Sequence, residues 1–504
     1  MRETRDTSLY DGKAGPALLV IGALLVVAAA APYRLFDLDR FLVPKEMALH
    51  AVALALALPG LRRLKALEFS RTDLLLAAYL ALSGVSALFA PDHWLAARAL
   101  AITLSGAAIF WAARAAADGG GRRTIVAGVA AAGVIGAAVS LAQAYGLDSD
   151  FFSRHRVPGG TFGNRNFMAH LAAICAPALV LATVAARRSW AAAPGYAGMA
   201  ALAAALVLSR SRAAYLGLAA GTAILAYGAW RAHGRWNDAR NALRMRALAL
   251  AAAVGVLGAL LLPNRLEWKS RSPYLDTVAG MVNYQEGSGH GRVVQYARTL
   301  RMAAAHPLLG AGPGNWAVVY PKFSEYYDPS IDYFTGTTIN PWPSGDWVAI
   351  VAERGVPALT ALLLVLGGLF AGGWRRSVAA VTSGEYMEGL ALAATLVVTG
   401  IVAAFDAVLL LPAPAFICWA LFGALAAPSP VFWSRVLSQR ARRRLLAGVA
   451  IVGAAALLRS AGQVGAMAVY GRARTAAQVT RAHYLDPGSA RIRARFEGLH
   501  RGGN

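Results

Sequence analysis

Charge is scarce in this sequence: only 15% of its 504 residues are Asp, Glu, Lys or Arg, and 57% are hydrophobic. An ordinary soluble chain carries about 25% charged residues. A large soluble helical protein would also need a polar stripe on each helix. Stretches such as Leu18–Ala31, reading LLVIGALLVVAAAA, have no polar face. Acidic residues are scarcer still, 26 against 49 basic ones, which leaves a net charge of +23. The basic residues form short clusters between apolar runs rather than a continuous stripe, and this argues against nucleic acid as a partner. There are two cysteines, Cys175 and Cys418, both inside apolar runs. Neither a disulfide between them nor a metal site is expected, and no metal-ligand spacing occurs elsewhere. No Gly-Lys-Ser/Thr follows a strand, so a nucleotide loop is not expected either. The first apolar run begins near Ala14, is of spanning length and lacks a small-residue cleavage site, so a cleavable signal peptide is not expected.

Apolar runs of about 17–25 residues dominate what is present, long enough to cross a hydrocarbon core of about 30 Å. Thirteen candidate spans fall at about 14–32, 42–61, 72–90, 94–117, 124–145, 167–186, 190–209, 212–231, 244–262, 347–373, 386–405, 408–427 and 445–462. The expected fold is all-α: a polytopic transmembrane bundle of about 12–13 spans with one large outward-facing loop. Every second loop is basic. Arg62, Arg63, Lys65 and Arg71 follow span two, Arg114, Arg122 and Arg123 follow span four, and Arg187 and Arg188 follow span six. Arg231, Arg235, Arg240, Arg244 and Arg246 follow span eight, Arg375 and Arg376 span ten, and Arg435 to Arg444 span twelve. The positive-inside bias makes these loops and the N-terminus cytoplasmic, with the odd loops and the C-terminal tail outside.

Four regions follow: helices one to nine over 1–262, a large loop over 263–346, the remaining helices over 347–462, and a tail over 463–504. The large loop is rich in Tyr, Trp, Asn, Pro and Gly, the composition of a small folded cap rather than a linker. Ligand-binding residues concentrate on such segments. The tail reads as a helix, an Asp-Pro-Gly break and a second helix, like one degenerate tetratricopeptide unit. It is either a docking point for a protein partner or a short basic amphipathic end.

Three outward clusters carry candidate chemistry. In Gly160–Phe167, Asn164 and Asn166 either cap span six or line a polar pocket at its N-terminus, which favours anions such as phosphate. In Leu208–Arg212, Arg210 and Arg212 run against the charge bias. Arg212 begins an apolar helix, where it either snorkels to headgroups or forms a fixed anion site; a planar guanidinium suits bidentate phosphate binding. The third cluster is Gly289-His290-Gly291-Arg292 followed by His306–Trp316, which includes Asn315. Arg292 is expected to open a helix running to Ala305, and the glycines after it to form tight turns. Asp406 and Arg98 lie near the outer ends of their spans, with few charges at mid-membrane depth.

At these residues the sequence resembles the O-antigen ligase and O-antigen polymerase superfamily of bacterial polytopic membrane glycosyltransferases. The pieces that carry the resemblance are Val43-Pro44-Lys45-Glu46, TFGNRNF (161–167), SRSRAAYLGL (209–218), GHGRVVQYARTLRMAAAHPLLGAGPGNW (289–316), AERG (352–355) and FDAVLLLPAP (405–414). The resemblance implies a bacterial inner-membrane enzyme that moves a glycan from a polyprenyl diphosphate donor to a lipid or glycan acceptor on the periplasmic face. Membrane lipids surround it, and neither metal nor cofactor is required. It implies that Arg212 and Arg292 bind the diphosphate and stabilise the charge that grows as it leaves. A base near the acceptor hydroxyl assists attack, and Asn164 and Asn166 line the same pocket. Ligases of this family carry a His-Asn pair about ten residues before the Glu-x-Gly that is here Glu353-Arg354-Gly355. The corresponding place reads Pro343-Ser344-Gly345-Asp346-Trp347, with Ser344 where the histidine falls. The base is then Asp346, Glu353 or His290, unless the reaction needs no strong base. A repeat-unit polymerase of the same superfamily is the alternative. From another class stand a non-catalytic partner, or a lipid-linked glycan transporter, in a polysaccharide export pathway.

Overall fold

The computed structural model describes residues 12–501 except 233, 234, 236, 237, 269, 281, 282 and 284. It is a helical polytopic bundle. Among the described residues, ten segments are long and apolar enough to cross a membrane, and two shorter apolar helices accompany them. One of the ten, 93–144, is two helices joined by a kink at Gly120, whose φ is +91°.

The helices before the large loop are α1 (Ala14–Ala28), α2 (Asp39–Arg63), α3 (Arg71–Leu88), α4 (His93–Ala116), α5 (Arg122–Ala144), α6 (Arg165–Val184), α7 (Ala193–Ser209), α8 (Arg212–Ala232) and α9 (Ala239–Leu261). The large loop adds α10 (Pro273–Ala279), α11 (Gly287–Ala305) and the single turn α12 (Trp316–Val319). Then come α13 (Asp346–Val378), α14 (Ser383–Ala403), α15 (Pro412–Leu425) and α16 (Gln439–Gly471), followed by α17 (Ala476–Leu485) and α18 (Ala490–Arg501) in the tail. Each of the thirteen expected spans falls on one of these helices. The centre of the bundle is α6 and α15, which are buried along nearly their whole length. Polar residues start the helices where the chain re-enters the apolar zone. Ser70 and Asp73 form a capping box at α3, and Asp92, Asp238 and Thr382 cap α4, α9 and α14 through their side chains.

The six basic loops lock together on one face. Residues Ala66–Phe69 (β1), after α2, pair antiparallel with Trp433–Val436 (β2), after α15. This two-stranded ribbon was not expected from the all-helical pattern. Arg122, which opens α5, and Arg376, in the last turn of α13, both pair with Glu388. Arg235 donates to the carbonyl of Ala380 at 2.7 Å, and Arg240 and Arg244 donate to Ala186 at 2.9 and 2.6 Å. Six loops expected on one side by charge are therefore on one side by contact.

Charged side chains within the bundle are matched by partners. Arg98 holds Glu46 at 2.5 Å and Asp39 at 3.2 Å, and Arg114 holds Asp73 at 2.8 Å. Lys45 donates to the carbonyls of Val27 and Ala29 that end α1. Unmatched charges in an apolar medium would cost several kcal/mol each.

On the opposite face α13 is broken. Gly355 has φ +82° and ψ 171°, and Pro357 follows. The segment 306–316 packs into this break. Ala311 N donates to Ala352 O at 2.9 Å, Gly312 N to Glu353 O at 2.8 Å, and Val356 N to Pro307 O at 2.8 Å. Gly310, Gly312 and Gly314 all have positive φ, as expected of tight turns. What their backbone approaches is the bundle: a Cβ on Gly310 would collide with the Glu353 peptide, and one on Gly314 would sit 2.9 Å from Leu95 O. The loop's own core gathers Met302, Trp316, Tyr320 and Ala352. The tail folds back on the chain itself, where Val479, Ala482 and Ile492 pack with Phe36, Val43 and Met467.

Gly310→Ala is expected to lower the stability of the detergent-solubilised protein by about 1–3 kcal/mol, from left-handed strain plus the clash. The check is its melting temperature by size-exclusion chromatography after heating, with Gly448→Ala, where an added Cβ meets nothing within 4 Å, as the neutral control.

Candidate functional site: an arginine-lined cavity and a buried His–Asp pair

A polar cavity of about 380 Å³ opens on the face away from the basic loops. Arg165, Arg210 and Arg212 line one side; Asp276, Thr277, Gly280, Asn283 and Glu286 to Ser288 line the other. The local reason is the turn between α7 and α8. Arg210 takes a left-handed conformation, φ +56°, so α7 ends there and α8 restarts at Arg212. Two arginines two residues apart thus leave the same corner. Arg210 donates to Thr277 Oγ1 at 2.8 Å and lies over the Trp268 ring, as Arg165 does, at 4.8 and 5.1 Å to its centroid. Arg212 donates to Gly280 O and, at 2.6 Å, to Ser288 Oγ. The three guanidinium groups outnumber the Asp276 and Glu286 carboxylates that also line the cavity, so the lining keeps a net positive charge suited to an anion with several oxygens.

Helix α11 forms the wall beside this cavity. It begins at Gly287, five residues before the expected start at Arg292, because glycine lowers helical propensity without forbidding a helix. As a result Ser288, Arg292 and Tyr296 lie at i, i+4 and i+8 on one face. Ser288 meets Arg212. The Arg292 Nε is buried and has no hydrogen-bond partner among the described residues. Tyr296 donates its hydroxyl towards Ser344 O and, at 2.5 Å, Ala404 O.

Beside Arg292 lies a pair that sequence reasoning did not single out. His170, on α6, is buried, 2% exposed; its Nε2 lies 3.2 Å from Ser211 Oγ and its Nδ1 3.9 Å from Asp406 Oδ2. Asp406 sits at the corner between α14 and α15, its side chain 14% exposed. Burial pushes its carboxyl up to about 6, opposed by the Ala407 N–H and by Arg292 and Arg156. The charge bounding an apolar run at Phe405-Asp406 was the available signal. For His170 there was none, since a histidine about one and a half turns into an apolar helix is usually core.

The other candidates are placed as follows. Asn164 caps α6, accepting from Asn166 N at 3.0 Å. Asp346 is fully buried and accepts from Val408 N at 3.1 Å and Leu409 N at 2.7 Å, so it pins the corner that carries Asp406. Glu353 accepts from Gly314 N at 2.8 Å and Trp316 N at 3.1 Å. Asn315 is tied to the Asp92 backbone in both directions, at 2.7 and 3.0 Å. The backbone N–H of Ser344 donates to Gln295 Oε1 at 2.6 Å. His290 is exposed on α11. Asp346, Glu353 and Asn315 do not line the arginine cavity.

Residues 197–363 match the family model described as O-antigen ligase. The match covers about a third of the chain, from α7 through the large loop to the first half of α13. It contains Arg210, Arg212, Arg292 and Ser344, whereas His170 and Asp406 lie outside it. No curated protein matches the chain. Within a multi-pass helical bundle, this segment is similar to the O-antigen ligase family.

Asp346→Ala is expected to destabilise the solubilised protein by about 1–3 kcal/mol, because two buried N–H groups lose their acceptor. A fall in melting temperature of several degrees checks this; an unchanged value means the corner is held without it.

Proposed function

We propose that the protein transfers a glycan from a polyprenyl diphosphate donor to an acceptor hydroxyl, at the face opposite the basic loops. The observation that carries this reading is the convergence of Arg165, Arg210 and Arg212 on one polar cavity, with Arg292 on the adjoining helix wall. A diphosphate has the charge and the number of oxygens such a site would take, and guanidinium forks bind them bidentately. The positive-inside bias makes the basic face cytoplasmic and the cavity periplasmic. The preactivated donor supplies its own leaving group, so the chemistry needs no metal.

In the reaction the acceptor oxygen attacks the anomeric carbon, and the bond from that carbon to the diphosphate oxygen breaks. The electron pair goes to the diphosphate, whose charge grows as it leaves. Arg212 is held between Gly280 and Ser288 and is already oriented for that charge, so little reorganisation is needed. Asn164 caps its helix, and Asp346 and Glu353 hold the backbone that shapes the site. A repeat-unit polymerase would use the same cavity and differ only in its acceptor, another lipid-linked glycan.

Arg212→Ala is expected to lower transfer by about 100-fold or more, with expression and melting temperature retained. Arg212→Lys is expected to lose most activity too, because a point charge lacks the fork. The readout is loss of long surface glycan and accumulation of lipid-linked donor when the variants replace the gene in its host. Wild-type glycan in both Arg212→Ala and Arg292→Ala strains would remove the reading. Accumulation of single-repeat donor would assign a polymerase, and of long lipid-linked polymer a ligase.

A further inference from the structure

We propose that Asp406 is the base that accepts the proton of the acceptor hydroxyl, standing in beside Ser344 for the histidine that this chain lacks. This rests on the transfer reaction proposed above.

The geometry brings Asp406 to that place from three sides. The Tyr296 hydroxyl bridges the carbonyls of Ser344 and Ala404, so the segment expected to carry the histidine is tied to the corner that carries Asp406. Gly345 lies against the same corner; a Cβ there would sit 3.0 Å from Ala404 O. Asp346 then binds Val408 and Leu409 on the far side of Asp406. The corner is therefore clamped on both flanks, with Asp406 between the clamps.

Of the three carboxylates near this region, Asp406 has the oxygen to spare. Both oxygens of Asp346 and both of Glu353 accept backbone N–H groups, and the two residues are 0% and 2% exposed. Asp406 uses Oδ1 for Ala407 N at 2.9 Å, while Oδ2 accepts no hydrogen bond among the described residues and points towards His170. Its side chain reaches the surface that the others do not.

The carboxylate is also coupled to the anion site. Arg292 faces both Asp406 and His170, and it lies one turn along α11 from Ser288, which holds Arg212. Ser211, which meets His170, precedes Arg212 in the chain. One helix face and one corner therefore set the distance between the leaving group's arginines and the proton acceptor. In the step, the acceptor O–H proton passes to Asp406 Oδ2 as the oxygen bonds to the anomeric carbon, and the diphosphate departs with the electron pair. A carboxyl raised to about 6 remains mostly ionised at neutral pH and is a stronger base than an ordinary aspartate. The charged and titratable groups facing it are His170 from α6, Arg156 from the loop before α6, Arg292 from α11 and Asp346 from α13.

The test uses the purified full-length chain in liposomes fused with membranes of the deletion host, which supply donor and acceptor. Polyprenyl diphosphate release is followed by mass spectrometry, and donor lipid retained by the protein is quantified separately. Asp406→Asn is expected to cut release by about 100-fold or more while retained donor changes less than about twofold, and Asp406→Glu to recover part of the rate. Wild-type release is expected to fall as pH drops through about 6, because protonation removes the base. Full release by Asp406→Asn beside an inactive Arg212→Ala overturns the base and leaves the transfer reaction standing. Equal loss of release and donor retention makes Asp406 a binding residue and also overturns it. If Asp406→Asn does not fold, the wild-type profile decides: a flat rate from pH about 7.5 to about 5 overturns the base. Full release by both variants, or none by the wild-type chain, overturns the transfer reaction itself.

Discussion

The break in α13 is the constraint on which the rest of the face opposite the basic loops depends. A helix interrupted inside a membrane bundle leaves carbonyls that lipid cannot satisfy, so another part of the chain must reach them. Here Gly355 turns the backbone away and Pro357 has no N–H to give. The loop amides of Ala311 and Gly312 take the carbonyls of Ala352 and Glu353, and the Glu353 carboxylate returns two bonds to Gly314 and Trp316. This reciprocal exchange fastens the end of the large loop to the bundle. The start of the same loop is fastened by Arg265 N to Ala144 O at 2.9 Å and by Thr277 to Arg210. With both ends fixed, α11 has little freedom, and it delivers Ser288 to the cavity wall and Arg292 and Tyr296 along the same helix face beside it.

The parts of this arrangement that were legible in the sequence are those set by local chemistry. Spans follow from uninterrupted apolar length, and the alternation of basic loops follows from the charge bias; α1 to α9 and α13 to α16 fall where those two signals placed them. The asparagine before α6 reads as a cap, and alternating glycines at 310, 312 and 314 read as left-handed turns. The arginines 210 and 212 stood out because they oppose the charge bias. What was not legible depends on contacts across the chain. Asp346 lies where a base was expected, yet its oxygens are occupied by residues about sixty positions later. Arg165 was not singled out beside the asparagines of its cluster, and Trp268, about a hundred residues later, brings it together with Arg210. The β1–β2 ribbon joins loops at opposite ends of the sequence, and nothing local announces it.

Two kinds of buried or half-buried arginine coexist here, and the difference between them is physical. Arg98 and Arg114 are neutralised by carboxylates at salt-bridge distance, so their charge is spent within the fold. Arg354, fully buried, lies over the Tyr79 ring and donates to Tyr79, Ser83 and Thr103 hydroxyls, which fixes the broken helix against α3 and α4. Arg210 at the cavity instead donates to a threonine hydroxyl. A neutral acceptor binds a guanidinium about half as strongly as an anionic one, so an anion can displace this bond more readily than it could displace Glu46 or Asp73. A cavity arginine held by a weak partner on a rigid frame is therefore one able to exchange that partner for an anion.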